Sequence, residues 1–271
     1  MPRQARRRKD RMLDRSAALK VGRRRFVFGA ALTVAASICT AAVAADLSAD
    51  EVRALLASHA GAAAPDLSNR NLAGLDLSGV DFKGANLTGA NLKKANLAGA
   101  DLSNAVIDLA ILRGANLRGA KLRDAKAFST ILADADLSGA DLSGAKLVCN
   151  LENAKLAGAR LAGIAAGADM RNQSMGLMRL SLYNADLTNA DLAGADLSWA
   201  MLEFAEFDNA DLKGANLMMA QAGGADFSGA DLTGANFTHV DIQSARFTGA
   251  KGIDAIVGLD STLHRKSAWF D

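Results

Sequence analysis

The chain has 271 residues, half of them hydrophobic, with 25 Gly, 2 Pro, 1 Tyr and a formal net charge of +2. Two cysteines exclude a disulfide-rich scaffold and a cysteine metal cluster. The near-neutral charge excludes little, because it is distributed unevenly along the sequence.

Met1 to Arg25 is strongly basic, Phe26 to Ala45 is apolar and uncharged, and Ala42-Val43-Ala44 offers a cleavage site. This is the three-part pattern of an export signal. Arg23-Arg24-Arg25-Phe26-Val27 resembles the twin-arginine motif, with Arg23, Arg24 and Phe26 as its candidate residues. Gly29, Thr33, Ser37 and Thr40 dilute the apolar run, which suits that route. A Sec signal with a basic start is the alternative route. An uncleaved inner-membrane anchor is the alternative fate, since the run is near spanning length. Export predicts a periplasmic location.

Removing residues 1–44 takes away 11 of the 31 Lys+Arg and 2 of the 29 Asp+Glu. The remaining 20 basic and 27 acidic residues give a net charge of −7, so the basic start is not a nucleic-acid patch. Cys39 falls in the signal, and Ala36-Ser37-Ile38 before it departs from a lipidation motif. Cys149 is then the remaining cysteine, and no intramolecular disulfide is expected.

Residues 45–65 are expected to form a short capping helix and a connector. Ser48-Ala49-Asp50-Glu51 has the capping-box pattern, and Val52, Leu55 and Leu56 recur at helical spacing after it, which predicts a helix over 48–59. Its expected role is to cover the first coil of a repetitive region that begins at residue 66.

In that region a five-residue unit, Ala-(Asp/Asn)-Leu-x-x with Gly frequent in the last place, occupies 66–251. Ala85-Asn86-Leu87-Thr88-Gly89, Ala90-Asn91-Leu92-Lys93-Lys94 and Ala95-Asn96-Leu97-Ala98-Gly99 show it most clearly. A period of five fits neither helix nor strand alone. It fits a short extended segment with two inward side chains, then a turn in which Gly supplies positive φ. Four such units close a coil, so residues twenty apart should stack. Phe207, Phe227 and Phe247 recur at that spacing in the central position, and Ile111 and Ile131 in an outward one.

These residues make the chain resemble the pentapeptide-repeat family, whose fold is a right-handed quadrilateral β-helix. The resemblance implies an all-β solenoid over most of the chain.

Centres fall every five residues from Leu67 to Leu147, with Ala127 leaving a thin spot for Phe128 or Ile131 to fill. The register breaks over 148–181 and recovers at Leu182, 35 residues on. Read as seven units, that distance predicts one continuous tower of about nine coils, roughly 45 Å long. Residues 252–271 lose the motif and are expected to form a C-terminal cap and tail, with Ile253, Ile256, Val257 and Leu259 closing the end. A homodimer contact through this end is a further expectation.

No catalytic, cofactor or metal site is legible. His59, His239 and His264 have no ligand spacing. Arg171, Asn172, Gln173 and Ser174 in the irregular stretch suggest no reaction, and an enzyme is not expected. Asp191, Asp211 and Asp231 form a predicted acidic column, read as turn capping ahead of cation binding or phosphate mimicry. Outward apolar residues are the sharper signal. Trp199, Met201, Phe204, Met218 and Met219 form a candidate protein-binding patch, and Val106, Leu109, Ile111 and Ile131 a second, weaker one. Cover by residues 162–181 or the C-terminal end is the competing reading for both patches.

The expected function is an exported, non-enzymatic rod that binds another protein, without nucleic acid or cofactor, and with membrane contact only through an uncleaved signal. The alternative, implied by the resemblance, is an acidic DNA mimic acting on a type II topoisomerase, which the export signal argues against.

Overall fold

The structure is a computed structural model and describes residues 45–58, 65–167 and 179–270. The chain divides into two units, Met1–Ala41 and Ala42–Asp271. Arg23, Arg24, Phe26, Cys39, His59 and the 171–174 stretch lie outside the described residues.

The capping box forms as its residue types demand. Helix α1 spans Ala49–Ser58. The Ser48 N–H and hydroxyl donate to Glu51 Oε2 at 2.7 and 2.8 Å, and the Glu51 N–H donates to Ser48 Oγ at 3.3 Å. Val52 is fully buried and belongs to the same core cluster as the repeat leucines. Asp46 pairs with Asn71 through both backbone (2.8 Å) and side chain (2.7 Å), and Arg53 donates to the Asp76 carbonyl at 2.9 Å.

The repeat folds as a β-helix solenoid in which each unit makes one side and one corner. In the unit beginning at Asp211, the Asp211 N–H donates to Ala190 O of the preceding coil, while Leu212 donates to Asp231 O of the next. The corner amide of Gly214 donates to Thr233 O, and Ala215 donates back to Leu212 O, closing the turn. Every backbone group of such a unit that turns away from water is thereby paired, which lets so thin a coil bury its backbone. Leu and Ala point inward, and both are buried at almost every unit.

Parallel bridges run in four columns, which define four sides. The first begins at Asp66, the second at Asn71, the third at Asp76 and the fourth at Asp81. Through β1 (Lys126–Ile131) and β2 (Lys146–Asn150) the first three columns continue for ten rungs, ending at Val257, Leu263 and Trp269. Nine steps of about 4.8 Å make a rod of roughly 43 Å.

Two departures from the sequence reading concern register. The 35 residues between Leu147 and Leu182 make five sides, not seven. One step is short by a residue, because Lys146 and Asn150 occupy successive sides in β2. Another is long by eleven, since Ala165 and Ser181 are the successive positions. The two irregularities sum to a multiple of five, so the spacing imitates an unbroken count. Between them Asn150, Lys155, Arg160 and Ala165 keep the ladder regular.

The second departure is at 252–270, described residues of the expected cap and tail, which form a tenth coil. The period changes to six: Gly252, Gly258 and His264 take positive φ (71, 76 and 58°), each opening a 3-10 turn. Val257, Leu263 and Trp269 then bridge back to the ladder. Because the 3-10 turns use their own carbonyls, the corner amides below need another acceptor. His239 and Ser244 donate to Ser261 Oγ and Ser267 Oγ at 3.2 and 3.3 Å. Ala255 stands at the equivalent place of the first hexapeptide, and the Gly234 N–H has no protein partner among the described residues. Ala255→Ser is therefore expected to stabilise the terminal coil by about 0.5 kcal/mol, the low end for one hydrogen bond because water competes. A rise in the urea midpoint checks this, and Ala255→Val should give none.

The core is a mostly leucine column on each side, replaced near the C-terminal end by phenylalanines on the third side and by Phe237 on the first. Phe207, Phe227, Phe247 and Phe270 stack ring on ring at 4.9, 5.1 and 4.7 Å. The thin spot at Ala127 is not filled by Phe128 or Ile131, which stay exposed. Thr130 and Cys149 turn inward at positions elsewhere held by Ala, and the Thr130 hydroxyl donates to the Ile107 carbonyl at 2.7 Å. Burial pushes the Cys149 thiol up to about 12, which makes it inert packing.

Candidate interaction face

The outward position before each central residue is Asp or Asn for a local reason. Its Oδ1 accepts the N–H two residues on, as Asp226 does from Ser228 (3.0 Å) and Asn86 from Thr88 (3.1 Å). Asn residues also bond along the rod: Asn236 Nδ2 donates to Asn216 Oδ1, and Asn216 Nδ2 to Asp196 Oδ1, both at 3.0 Å. A side that abandons Asx gives up these bonds. The second side does so at Ile111, Ile131, Ser181, Met201 and Gln221, while Asn150 between Ile131 and Ser181 keeps its bond to the Glu152 N–H at 2.9 Å.

The corners show the same bias more sharply. Among the described corners all but the one within Lys146–Asn150 have a residue in the left-handed region, where an L side chain costs about 1–2 kcal/mol and Gly or Asn is tolerated. On the third and fourth corners, through Gly252, every such residue is Gly, Asn or Asp. Among the described residues, large apolar ones with positive φ occur only on the two corners that border the second side. Leu109 (φ 60°), Trp199 (65°) and Met219 (62°) lie on the first corner, and Phe204 (61°) on the second.

The structure therefore brings both apolar patches of the sequence reading onto one side of the rod. Leu109, Phe128, Trp199, Met218 and Met219 edge it on the first corner. Tyr183 and Phe204 edge it on the second, their rings 5.6 Å apart and edge to face. Ile111, Ile131 and Met201 lie between. Val106 alone belongs elsewhere, on the first side. Leu109 and Phe204 are 57 % and 54 % exposed, whereas Trp199, Met201, Met218 and Met219 are half-buried. Phe128 and Tyr183 are also exposed; the sequence reading assigns Phe128 to the thin spot at Ala127 and does not single out Tyr183.

Three grooves open on this side, of about 440, 420 and 410 Å³. Arg179 and Met201 line the first with Ile131, Phe204 and Glu203 line the second, and Trp199 and Met219 line the third with Arg179 again. Gln221 and Asp241 form the shared floor of the second and third. Arg179 donates to Gln221 Oε1 at 3.2 Å. Glu203 Oε2 is buried and has no hydrogen-bond partner among the described residues.

Asp191, Asp211 and Asp231 stack on the fourth side, away from these grooves. Each caps its own turn, accepting from the N–H of Ala193, Lys213 and Thr233. Lys213 Nζ sits 3.0 Å from Asp211 and 3.1 Å from Asp231, and the same column carries Lys121, Arg160 and Lys251. The Thr233 hydroxyl and then the Lys213 ammonium hold the Asp231 carboxyl at about 2. A phosphate-like run of free charge is not what this column presents. Among the described residues no three His, Cys, Asp or Glu side chains cluster to hold a metal ion, and no helix is long and apolar enough to cross a membrane. His239 Nδ1 lies 3.3 Å from the Ser261 carbonyl, and His264 Nδ1 lies 2.8 Å from Asp241 Oδ1.

A family model described as pentapeptide repeats matches residues 66–97, 85–124, 110–148, 181–217 and 220–251, more than half of the chain. Among solved structures, the chain is similar to HetL, a pentapeptide repeat protein involved in heterocyst differentiation regulation from Nostoc sp. strain PCC 7120. The identity is 29%, covering 83% of this chain and 100% of that one, with a TM-score of 0.42. It is similar to QnrB1, a plasmid-mediated fluoroquinolone resistance protein, at 23% identity over 69% of this chain and 91% of that one, TM-score 0.39. It is also similar to a pentapeptide repeat protein of the Arabidopsis thaliana thylakoid lumen, at 30% identity over 46% and 86%, TM-score 0.30. No curated protein matches.

Proposed function

Because this chain belongs to the pentapeptide-repeat family, we propose that it is an exported, non-enzymatic rod that binds another protein through its second side. The coil is then the right-handed quadrilateral β-helix of that family, and α1 is its N-terminal cap. The observation that carries the reading is the confinement of strained apolar corners to the borders of one side. Backbone strain of this kind concentrates at functional sites, and apolar residues gathered on one exposed side mark a contact surface. Trp199, Met201, Phe204, Met218 and Met219 are the proposed anchors, with aromatic and Met side chains of the kind that dominate interfaces.

Export rests on the signal pattern around Arg23, Arg24 and Phe26 and places the rod in the periplasm. The open C-terminal coil, with Trp269 68 % exposed, is the proposed homodimer contact. The DNA-mimic alternative is weakened by that export pattern and by the cations interleaved in the aspartate column.

One experiment tests the reading. The full chain, tagged at its C-terminus, is recovered from cell fractions beside Arg23→Lys/Arg24→Lys and Trp199→Ser/Met219→Ser. The expected result is a periplasmic product with a co-purifying protein, export lost in the first variant, and the companion lost in the second. Unchanged partner recovery with Trp199→Ser/Met219→Ser would sink the anchor assignment. An intact cytoplasmic protein would sink export and put the topoisomerase reading first.

A further inference from the structure

Among the described residues, the bridge positions of the second side keep their backbone paired along the ladder, and the N–H groups left over, such as those of Arg113 and Glu203, sit at its corners. Ile131 and Met201 donate their N–H groups to Ala110 O and Leu180 O, and their carbonyls accept from Leu112 and Leu182. A partner strand cannot add to it, because unpaired rungs belong to the ends of a rod. What the side presents is a trough of side chains between two ridges, with Trp199, Met218 and Met219 on one and Tyr183 and Phe204 on the other.

Repeat distances decide what fits such a trough lengthwise. Rungs recur every about 4.8 Å along the rod. Helix turns recur every about 5.4 Å, and same-face residues of an extended chain every about 6.6 Å. A helix drifts only about 0.6 Å per rung, so its apolar stripe stays in register over three or four rungs, and an extended chain does not. The side, with three extended residues, is about 10 Å wide, the diameter of a helix with its side chains. From Ile111 to Gln221 is six rungs, with Asn150 and Ser181 among them; their five steps span about 24 Å or about 16 helical residues.

Charge adds the polar half of the match. Glu203 Oε2 is buried beside Phe204 and Gln221 without a donor among the described residues. The Glu152 carboxylate, along the same ridge, accepts from the Ser181 hydroxyl at a long 3.4 Å. Arg179, a cation lining two of the grooves, is turned to Gln221. A buried carboxylate oxygen left without a donor is unfavourable until one arrives.

We infer that the second side receives an amphipathic helix of a partner protein, which lays its apolar stripe between the ridges and delivers a Lys or Arg to Glu203. The inference rests on the docking reading above and adds the class of partner. Specificity then comes from one cation placed against a carboxylate that water does not satisfy, and affinity from the apolar ridges.

The test places photoreactive benzoylphenylalanine at Met201 of the full chain in its native host, with a control at Asp211 on the fourth side. The cross-linked peptide is identified, synthesised and titrated with the protein. The expected result is an adduct at 201 and none at 211. The captured peptide should carry Lys or Arg beside an apolar stripe and gain helicity on binding. Glu203→Gln should lower adduct yield at least tenfold while the thermal midpoint stays unchanged. A protein adduct whose peptide stays non-helical, or whose yield Glu203→Gln leaves intact, overturns the helix inference and preserves the docking side. An adduct to lipid or to a second copy of the chain, or none at all, overturns both.

Discussion

Phe227→Ala is expected to destabilise the rod by about 3–5 kcal/mol, the range for removing a buried aromatic that the core cannot collapse around. Phe227 is fully buried and sits between the rings of Phe207 (4.9 Å, 5° between planes) and Phe247 (5.1 Å, 12°), with Phe237 edge-on at 5.7 Å. Three aromatic contacts are lost at once, each worth about 0.5–1.5 kcal/mol beyond area burial. The ladder of backbone bonds above and below holds the coil open, so the void persists.

In a solenoid each coil touches only its neighbours, and damage at one rung propagates along the rod rather than through a globular core. Urea denaturation followed by hydrogen exchange should therefore show the C-terminal coils, from about Asp231 onward, losing protection first while α1 and the early rungs keep theirs. Phe227→Leu restores the ordinary central residue of the repeat, and its cost should stay below about 1.5 kcal/mol. Equal losses from Ala and Leu, or uniform loss of protection, would show that the ring stack is not what holds this end together.

Sequence periodicity makes the coil legible because one physical demand repeats: Leu and Ala inward, Asx capping the turn, Gly or Asn at positive φ. Phe207, Phe227 and Phe247 announce the four-unit coil for the same reason. Where the demand is met by a different number of residues, the frame misleads. The deletion within Lys146–Asn150 and the insertion before Arg179 together mimic whole units, which conceals both. The hexapeptides at Gly252, Gly258 and His264 meet the same corner requirement with one residue more, and only a search at period six would reveal them.

The interaction side is partly legible, as two separate patches. Residues on one side are twenty apart when the register holds. Ile131 and Met201 line one groove, with Asn150 and Ser181 between them in the column, yet stand seventy apart in sequence, across both irregularities. Glu203 gives no signal at all. The fold alone leaves its Oε2 covered, without a donor among the described residues.

The corners supply a test whose two signs oppose each other. Leu109→Asn, Trp199→Asn, Phe204→Asn and Met219→Asn each put a residue that tolerates the left-handed region where a large apolar one now stands. Leu109→Asn should raise stability most cleanly, by about 0.5–1 kcal/mol, because that side chain has little packing to lose. Phe204→Asn should gain least, since the ring covers Gly224 and meets Tyr183 edge to face. Combining Trp199→Asn, Phe204→Asn and Met219→Asn should weaken partner binding more than about 100-fold, as loss of two or more anchors at about 2 kcal/mol each requires. Measured together, urea midpoint and partner recovery separate the explanations. Residues kept for packing would lose stability when replaced, and residues merely tolerated would gain stability with binding intact. A chain that becomes more stable as it stops binding has been holding these three side chains in place against its own backbone, and that is the outcome expected if the second side is the proposed docking surface.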